Sequence, residues 1–135
     1  MKLTILGLGE ASSLIAKGLA NQGVEVVAFD PAKPKNPVVT LIETAAEAVA
    51  DADVVLSLNS ASLSIKFAQQ VAPHLKPGAI YGDLNTGTPA LKKRLAELVS
   101  AGSFVDVAVM KPVQGLAEKV PLSVAGEGAK RFVEL

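Results

Sequence analysis

Short aliphatic runs alternate with longer stretches of helical period along almost the whole of this 135-residue chain, and few folds accept that alternation. A short run of β-branched and aliphatic residues suits a strand covered on both faces. A following segment with apolar residues at three- and four-residue steps suits a helix crossing back over it. Repeated, the pair builds βαβ units around a parallel sheet. The pattern predicts strands at residues 2–6, 24–29, 38–41, 53–58, 79–82 and 103–109, and helices near 10–22, 43–50, 61–74 and 88–101. Leu14, Leu19, Ile65, Ala68, Val71, Leu91, Leu95 and Leu98 mark the apolar faces of the longer helices. Gly23, Gly78 and Gly102 stand where helices should end and strands begin, as C-terminal glycines do. PAKPKNP (31–37) reads as an exposed irregular loop, MKPVQGLAEKVP (110–121) as another, and PLSVAG as a short strand leading into a final helix. The expected class is α/β: a doubly wound, mostly parallel sheet with helices on both faces, forming one domain over residues 1–135.

Charge and composition narrow the partners. Thirteen basic residues balance thirteen acidic ones, so no basic face points to nucleic acid or an anionic membrane. A small molecule or another protein is the expected partner. With no cysteine, disulfides, thiolate nucleophiles and Cys-based metal sites are excluded. His74 is the sole histidine, at the end of a predicted helix, where a capping or dipole role fits better than catalysis. No metal site is expected. The N-terminal apolar run is too short for a signal segment, and no run approaches the ~20 residues that span a bilayer, so a cytoplasmic location is expected.

The first strand runs into LGLGEASS, which nearly spells the G-x-G-x-x-G of dinucleotide sites. In that fingerprint one glycine turns the chain off the strand and the next lets the backbone approach a pyrophosphate at a helix N-terminus. Gly7 and Gly9 fill those positions, and Gly7, Leu8, Gly9, Glu10, Ala11 and Ser12 form the expected cofactor-binding turn. Ser12 replaces the third glycine, whose use is close helix–strand packing; its small side chain should cost fit without forbidding the fold. Ser12 or Ser13 also offers a hydroxyl to a phosphate. Glu10 would repel a pyrophosphate if it pointed inward, so it should point outward. The competing reading is a βα turn without a ligand.

Asp30 ends the second strand in EVVAFD, roughly 20 residues beyond the turn, where an acid reaches the adenosine ribose hydroxyls. Its charge disfavours a 2'-phosphate, so NAD is expected over NADP. Two alternatives stand beside this: Asp30 starts a turn before Pro31, or Lys33 and Lys35 bind the phosphate. Asn59 and Ser60, after the fourth strand, complete the expected cofactor set.

The order GLGEASSLIAKGLANQG, VVAFD, ADVVLSLN, LKPGAIYGDLNTGTPALKKRLAE and FVDVAVMKPVQG resembles the N-terminal domain of the β-hydroxyacid dehydrogenases, the group of 3-hydroxyisobutyrate and 6-phosphogluconate dehydrogenases. The resemblance covers essentially the whole chain. It implies a Rossmann fold, a nicotinamide cofactor and a small-molecule substrate. The family's D-x-S-T-x-x-P-like segment, beside nicotinamide and substrate, corresponds to Asp83-Leu84-Asn85-Thr86 with Pro89. Asn85 and Thr86 are therefore implied contacts, with an N-cap role for Thr86 or Thr88 as a compatible alternative. The family's substrate loop D-A-P-V-S-G-G falls on Asp106 to Pro112, where Met110, Lys111 and Pro112 replace Ser-Gly-Gly. Pro112 offers no N–H and Lys111 brings a point charge, so either the substrate differs or this loop is not used in the usual way; a solvated Lys111 is the plainer alternative. Lys111 is the one lysine expected near the cleft.

The family's catalytic lysine lies on a G-x-x-G-x-G-x-x-x-K-x-x-N pattern in a later helix, and nothing like it occurs before KRFVEL. The resemblance thus implies an oxidoreductase domain, inactive alone, without the family's helical C-terminal domain. The catalytic residue is unknown. An apolar face left bare would favour a homo-oligomer. The alternative function is a non-catalytic NAD(H)-sensing regulatory Rossmann module, which needs no catalytic group but leaves DLNTGTP and VDVAVMKP without a purpose.

Overall fold

The computed structural model describes residues 1–99, 103–109 and 122–125. In chain order the elements are β1 (Lys2–Leu6), α1 (Glu10–Asn21), β2 (Glu25–Phe29), β3 (Thr40–Leu41), α2 (Ala45–Val49), β4 (Val54–Ser57), α3 (Ala61–Val71), β5 (Ile80–Asp83), α4 (Pro89–Leu98), β6 (Ser103–Val109) and β7 (Leu122–Ala125). A single 3₁₀ turn, Ala72–His74, extends α3. The strands form one sheet in the order β3-β2-β1-β4-β5-β6-β7. β1 to β6 pair in parallel, and β7 joins β6 antiparallel.

This is the doubly wound α/β architecture that the alternating pattern predicts. From β1 the chain winds outward through β2 and β3, then returns to build β4, β5 and β6 on the other side. That reversal opens a crevice beyond the C-terminal ends of β1 and β4, where ligands of such sheets bind. Two differences from expectation are local. β3 keeps only two residues of the 38–41 run, because the three PAKPKNP prolines and a positive φ at Lys33 and Asn36 delay the chain's return to the sheet edge. α4 ends at Leu98 rather than near 101. The MKPVQGLAEKVP loop and the final helix lie outside the described residues.

Strand residues alternate between two cores. Leu3, Ile5, Val26, Ala28, Val54 and Leu56 pack on the face covered by α1. Leu6, Val55, Tyr81 and Phe104 pack on the other, against Val49, Phe67, Val71 and Leu95 from α2, α3 and α4. Ile5 is 1% exposed at the centre of the first core, so Ile5→Ala should cost about 2–5 kcal/mol, read as a lower urea midpoint with an unchanged slope. Among the described residues no helix is long and apolar enough to cross a membrane.

At the N-terminal edge of the sheet, the Asp53 carboxylate accepts from the Lys2 N–H at 2.9 Å and pairs with Lys76. The Lys76 hydrogen bond, then that of Lys2, holds the Asp53 carboxyl below the usual carboxylate range. A depressed folded value means stability that is complete above the unfolded Asp pKa of about 3.9 and is lost as pH falls through the folded value. Urea midpoints of the parent and Asp53→Asn should therefore differ at neutral pH and converge in acid.

Candidate functional site

The first turn is built around a backbone position only glycine can hold. Gly7 has φ +93°, and a Cβ there would lie 2.7 Å from the Leu58 carbonyl oxygen and 3.0 Å from Asn59 Cβ. Its N–H donates to the Phe29 carbonyl at 2.9 Å, locking β1's exit against β2. Gly9 differs. It is the N-cap of α1 at φ −86°, and a Cβ there would meet no protein atom within 4 Å. Packing does not require this glycine, which lines the cleft described below.

Ser12 takes the place of the fingerprint's third glycine without strain. Its side chain is 2% exposed between α1 and the sheet, and its Oγ accepts from the Gly9 N–H at 2.8 Å. The hydroxyl is thus engaged in shaping the turn, a local cap that the substitution makes possible. Glu10 is exposed and lines the same cleft as the glycines. The first turn of α1 directs its N–H groups and positive dipole end toward the crevice.

Asp30 starts the turn that the plainer reading gave it, and makes a second backbone bond besides. Its Oδ1 accepts from Ala32 N at 2.9 Å, the turn-starting bond, and its Oδ2 accepts from Leu8 N at 2.8 Å. A carboxylate offers about four acceptor sites, so capacity remains for a ribose. The Leu8 bond ties the acid after β2 to the glycine turn. Beside it lies a hollow of about 110 Å³ lined by Asp30, Lys33 and Glu43, where Lys33 Nζ is 3.7 Å from Glu43.

Gly7, Leu8, Gly9, Glu10, Ala11, Ser12, Asp30, Asn59 and Ser60 all line one cleft of about 440 Å³, with Pro31, Leu58, Leu63 and Phe67 completing its wall. Ser60 also caps α3 by accepting from Leu63 N at 3.3 Å. Asn85 and Thr86 line a second cleft of about 280 Å³, with Gly87, Lys92, Asp106, Val107 and Ala108. Thr88, not Thr86, caps α4, accepting from Leu91 N at 3.2 Å. Met110, Lys111 and Pro112 lie outside the described residues.

A buried polar network floors the space between the clefts. Asn85, 5% exposed, accepts at Oδ1 from Asn59 N at 2.6 Å and donates from Nδ2 to Asp83 Oδ1 at 2.7 Å. Asn59 Nδ2 donates to the Leu6 carbonyl at 3.1 Å and to Ser57 Oγ at 3.0 Å. The two amides thereby tie together the ends of β1, β4 and β5. Tyr81 Oη, buried nearby, meets hydrogen-bond geometry with no partner among the described residues; burial pushes its phenol up, aided by the Asp83 charge and opposed by the neighbouring Ser57 hydroxyl. It stays neutral at physiological pH.

Lys92 corrects the expectation that Lys111 is the one lysine near the cleft. Its side chain, 12% exposed, contacts fully buried Asp83 at 2.6 Å and Asp106 at 2.8 Å, and lines the second cleft. Lys92 stands in an LKKR run whose other cations, Lys93 and Arg94, are exposed. Yet Lys92 lies three and seven residues before buried Leu95 and Val99, on the inward stripe of α4, and that spacing was the available signal. Among the described residues no group of His, Cys, Asp and Glu gathers where a metal ion would sit.

A glycine turn at a helix N-terminus, an acid after β2 and a crevice at the strand-order reversal define a nucleotide-binding doubly wound domain. The family model for the NAD binding domain of 6-phosphogluconate dehydrogenase matches residues 2–133, and the chain belongs to that family. A search of curated protein sequences returned no significant match. Among solved structures, the chain is similar to a conserved hypothetical protein from Sinorhizobium meliloti 1021, with 35% identity, TM-score 0.89, and coverage of 98% of this chain and 49% of that one. It is also similar to Mycobacterium tuberculosis 3-hydroxyisobutyrate dehydrogenase, with 25% identity, TM-score 0.88 and coverage of 98% and 49%. An imine reductase from Pseudomonas sp., at 22% identity and TM-score 0.84 over 98% of this chain and 50% of that one, shares the fold. The chain spans about half the length of these structures.

Proposed function

We propose that the 440 Å³ cleft takes the ADP-ribosyl part of NAD, and that the second cleft takes the nicotinamide and a small-molecule substrate. The observation that carries this reading is Gly9, a glycine on the cleft wall whose missing Cβ would touch no protein atom. The space it leaves lets a pyrophosphate approach the α1 N-terminus. Asp30, prearranged by Leu8 N, accepts from the ribose hydroxyls. Asn85 and Thr86 border the nicotinamide end. Residues 1–135 act as one dinucleotide-binding domain of an oxidoreductase of 3-hydroxyacid or phosphogluconate type.

NAD is favoured over NADP because a 2'-phosphate would meet two carboxylates, Asp30 and Glu43, with Lys33 already beside Glu43. Isothermal titration should show tighter binding of NAD, and Asp30→Ala should narrow the difference. Equal or reversed affinities in the parent would make Lys33 or Lys35 the controlling residues. Ser12→Gly should keep the fold and change NAD affinity by less than tenfold, about 1.4 kcal/mol, since it removes one bond to Gly9 N while releasing that donor to a phosphate.

The bound cofactor would accept hydride; what these residues contribute is binding and orientation. General acid–base chemistry needs a group within hydrogen-bond reach of the reacting hydroxyl. Lys92, the cleft's ammonium, already faces Asp83, Asp106 and the Asn85 carbonyl. The 135-residue chain should therefore bind NAD without oxidising 3-hydroxyacids. Turnover abolished by Lys111→Ala would contradict this and make Lys111 the catalyst.

A further inference from the structure

We propose that Lys92 is a positioning residue that sets the nicotinamide side, the second cleft, through Asp83 and Asn85; the proposal rests on the cofactor reading above. An ammonium has three N–H donors. Lys92 Nζ meets three close acceptors: Asp83 Oδ2 at 2.6 Å, Asn85 O at 2.7 Å and Asp106 Oδ1 at 2.8 Å, with Asp83 O farther off at 3.3 Å. All its donors are engaged, so it neither holds a substrate anion nor passes a proton. Its place is as a staple joining the end of β5, the turn after it and β6.

What the staple holds runs on from Asp83 to Asn85 and Asn59. Asp83, fixed at Oδ2 by Lys92, accepts at Oδ1 from Asn85 Nδ2 at 2.7 Å. Asn85 Oδ1 in turn accepts from Asn59 N at 2.6 Å, and Asn59 Oδ1 accepts from Ser60 N at 2.8 Å at the start of α3. Asp83 and Asn85 are buried, so each partner has few substitutes and an altered Lys92 must rearrange the line. The glycine turn and Asp30 lie off this path. Their own bonds run between Leu8, Asp30, Gly9 and Ser12.

The two halves of the cofactor should thus respond differently. ADP-ribose needs the glycine turn and Asp30; NADH needs the second cleft as well. In titrations of the 135-residue chain, NADH should bind more tightly than ADP-ribose. Lys92→Met should weaken NADH about fivefold or more while ADP-ribose stays within about twofold. Asp106→Ala, at a partly exposed position whose loss leaves Lys92 held by Asp83, should weaken NADH about threefold, again sparing ADP-ribose, and carries the test if Lys92→Met does not fold. Unchanged NADH binding in the folded variants, equal weakening of both ligands, or equal parent affinity for both would overturn the proposal. Failure of the parent to bind even ADP-ribose would instead overturn the cofactor reading and this proposal with it.

Discussion

Gly9→Val is expected to abolish dinucleotide binding, a loss of a hundredfold or more (about 2.7 kcal/mol), in a protein that still folds. At φ −86° and ψ −162° the N-cap backbone of Gly9 is extended, a region valine adopts readily. The added side chain would project into space where a Cβ finds no protein atom within 4 Å. Stability should drop by only about 1 kcal/mol, the cost of a poor N-cap. Gly7→Ala should do the reverse. Its Cβ would stand 2.7 Å from a backbone oxygen at φ +93°, and left-handed strain with overpacking should cost about 2–5 kcal/mol. Thermal unfolding and NAD titration on both variants separate the two glycines. A Gly9→Val protein that binds normally would make the turn purely structural.

Asp83→Ala should be among the most destabilising single changes in the chain, at about 3–5 kcal/mol. Asp83 is fully buried and partners both Lys92 and the Asn85 amide. Its removal leaves a nearly buried ammonium short of an acceptor and a buried amide N–H without its closest one. The pair need not stabilise the fold over an apolar alternative; breaking one side of it is what costs. Chemical unfolding of Asp83→Ala beside Asp106→Ala, whose side chain is 40% exposed, should show a much larger loss for the former. Equal small losses would mean that Lys92 swings out to solvent when Asp83 is missing.

The sheet was legible because strands buried on both faces leave continuous aliphatic runs: KLTIL, EVVAF, VVLS and SFVDVAV stand between helices of clear period. The glycine turn and Asp30 were legible as well, since their spacing is imposed by the βαβ unit itself. β3 was overextended because nothing local shows how far PAKPKNP carries the chain before it can pair. That Asn85 and Thr86 line a different cleft from Asn59 and Ser60 depends on strand order, and no single segment carries that. Lys92 was hidden by its neighbours Lys93 and Arg94, which are exposed. A lysine on an inward stripe draws notice only once two carboxylates at adjacent strand ends are known to face it. Ser12 looked like a lost glycine and is a working cap.

The most direct test of nicotinamide-dinucleotide binding at the reversal of strand order is a backbone-amide NMR titration of the isotope-labelled chain with NAD. Saturable shifts are expected at Gly7, Leu8, Gly9, Glu10, Ala11 and Ser12, at Asp30, and at Asn59 and Ser60, with Lys2, Asp53 and Lys76 at the opposite edge of the sheet unmoved. A glycine turn whose amides do not shift at millimolar NAD, or shifts gathered around Asp53 and Lys76 instead, would contradict that site.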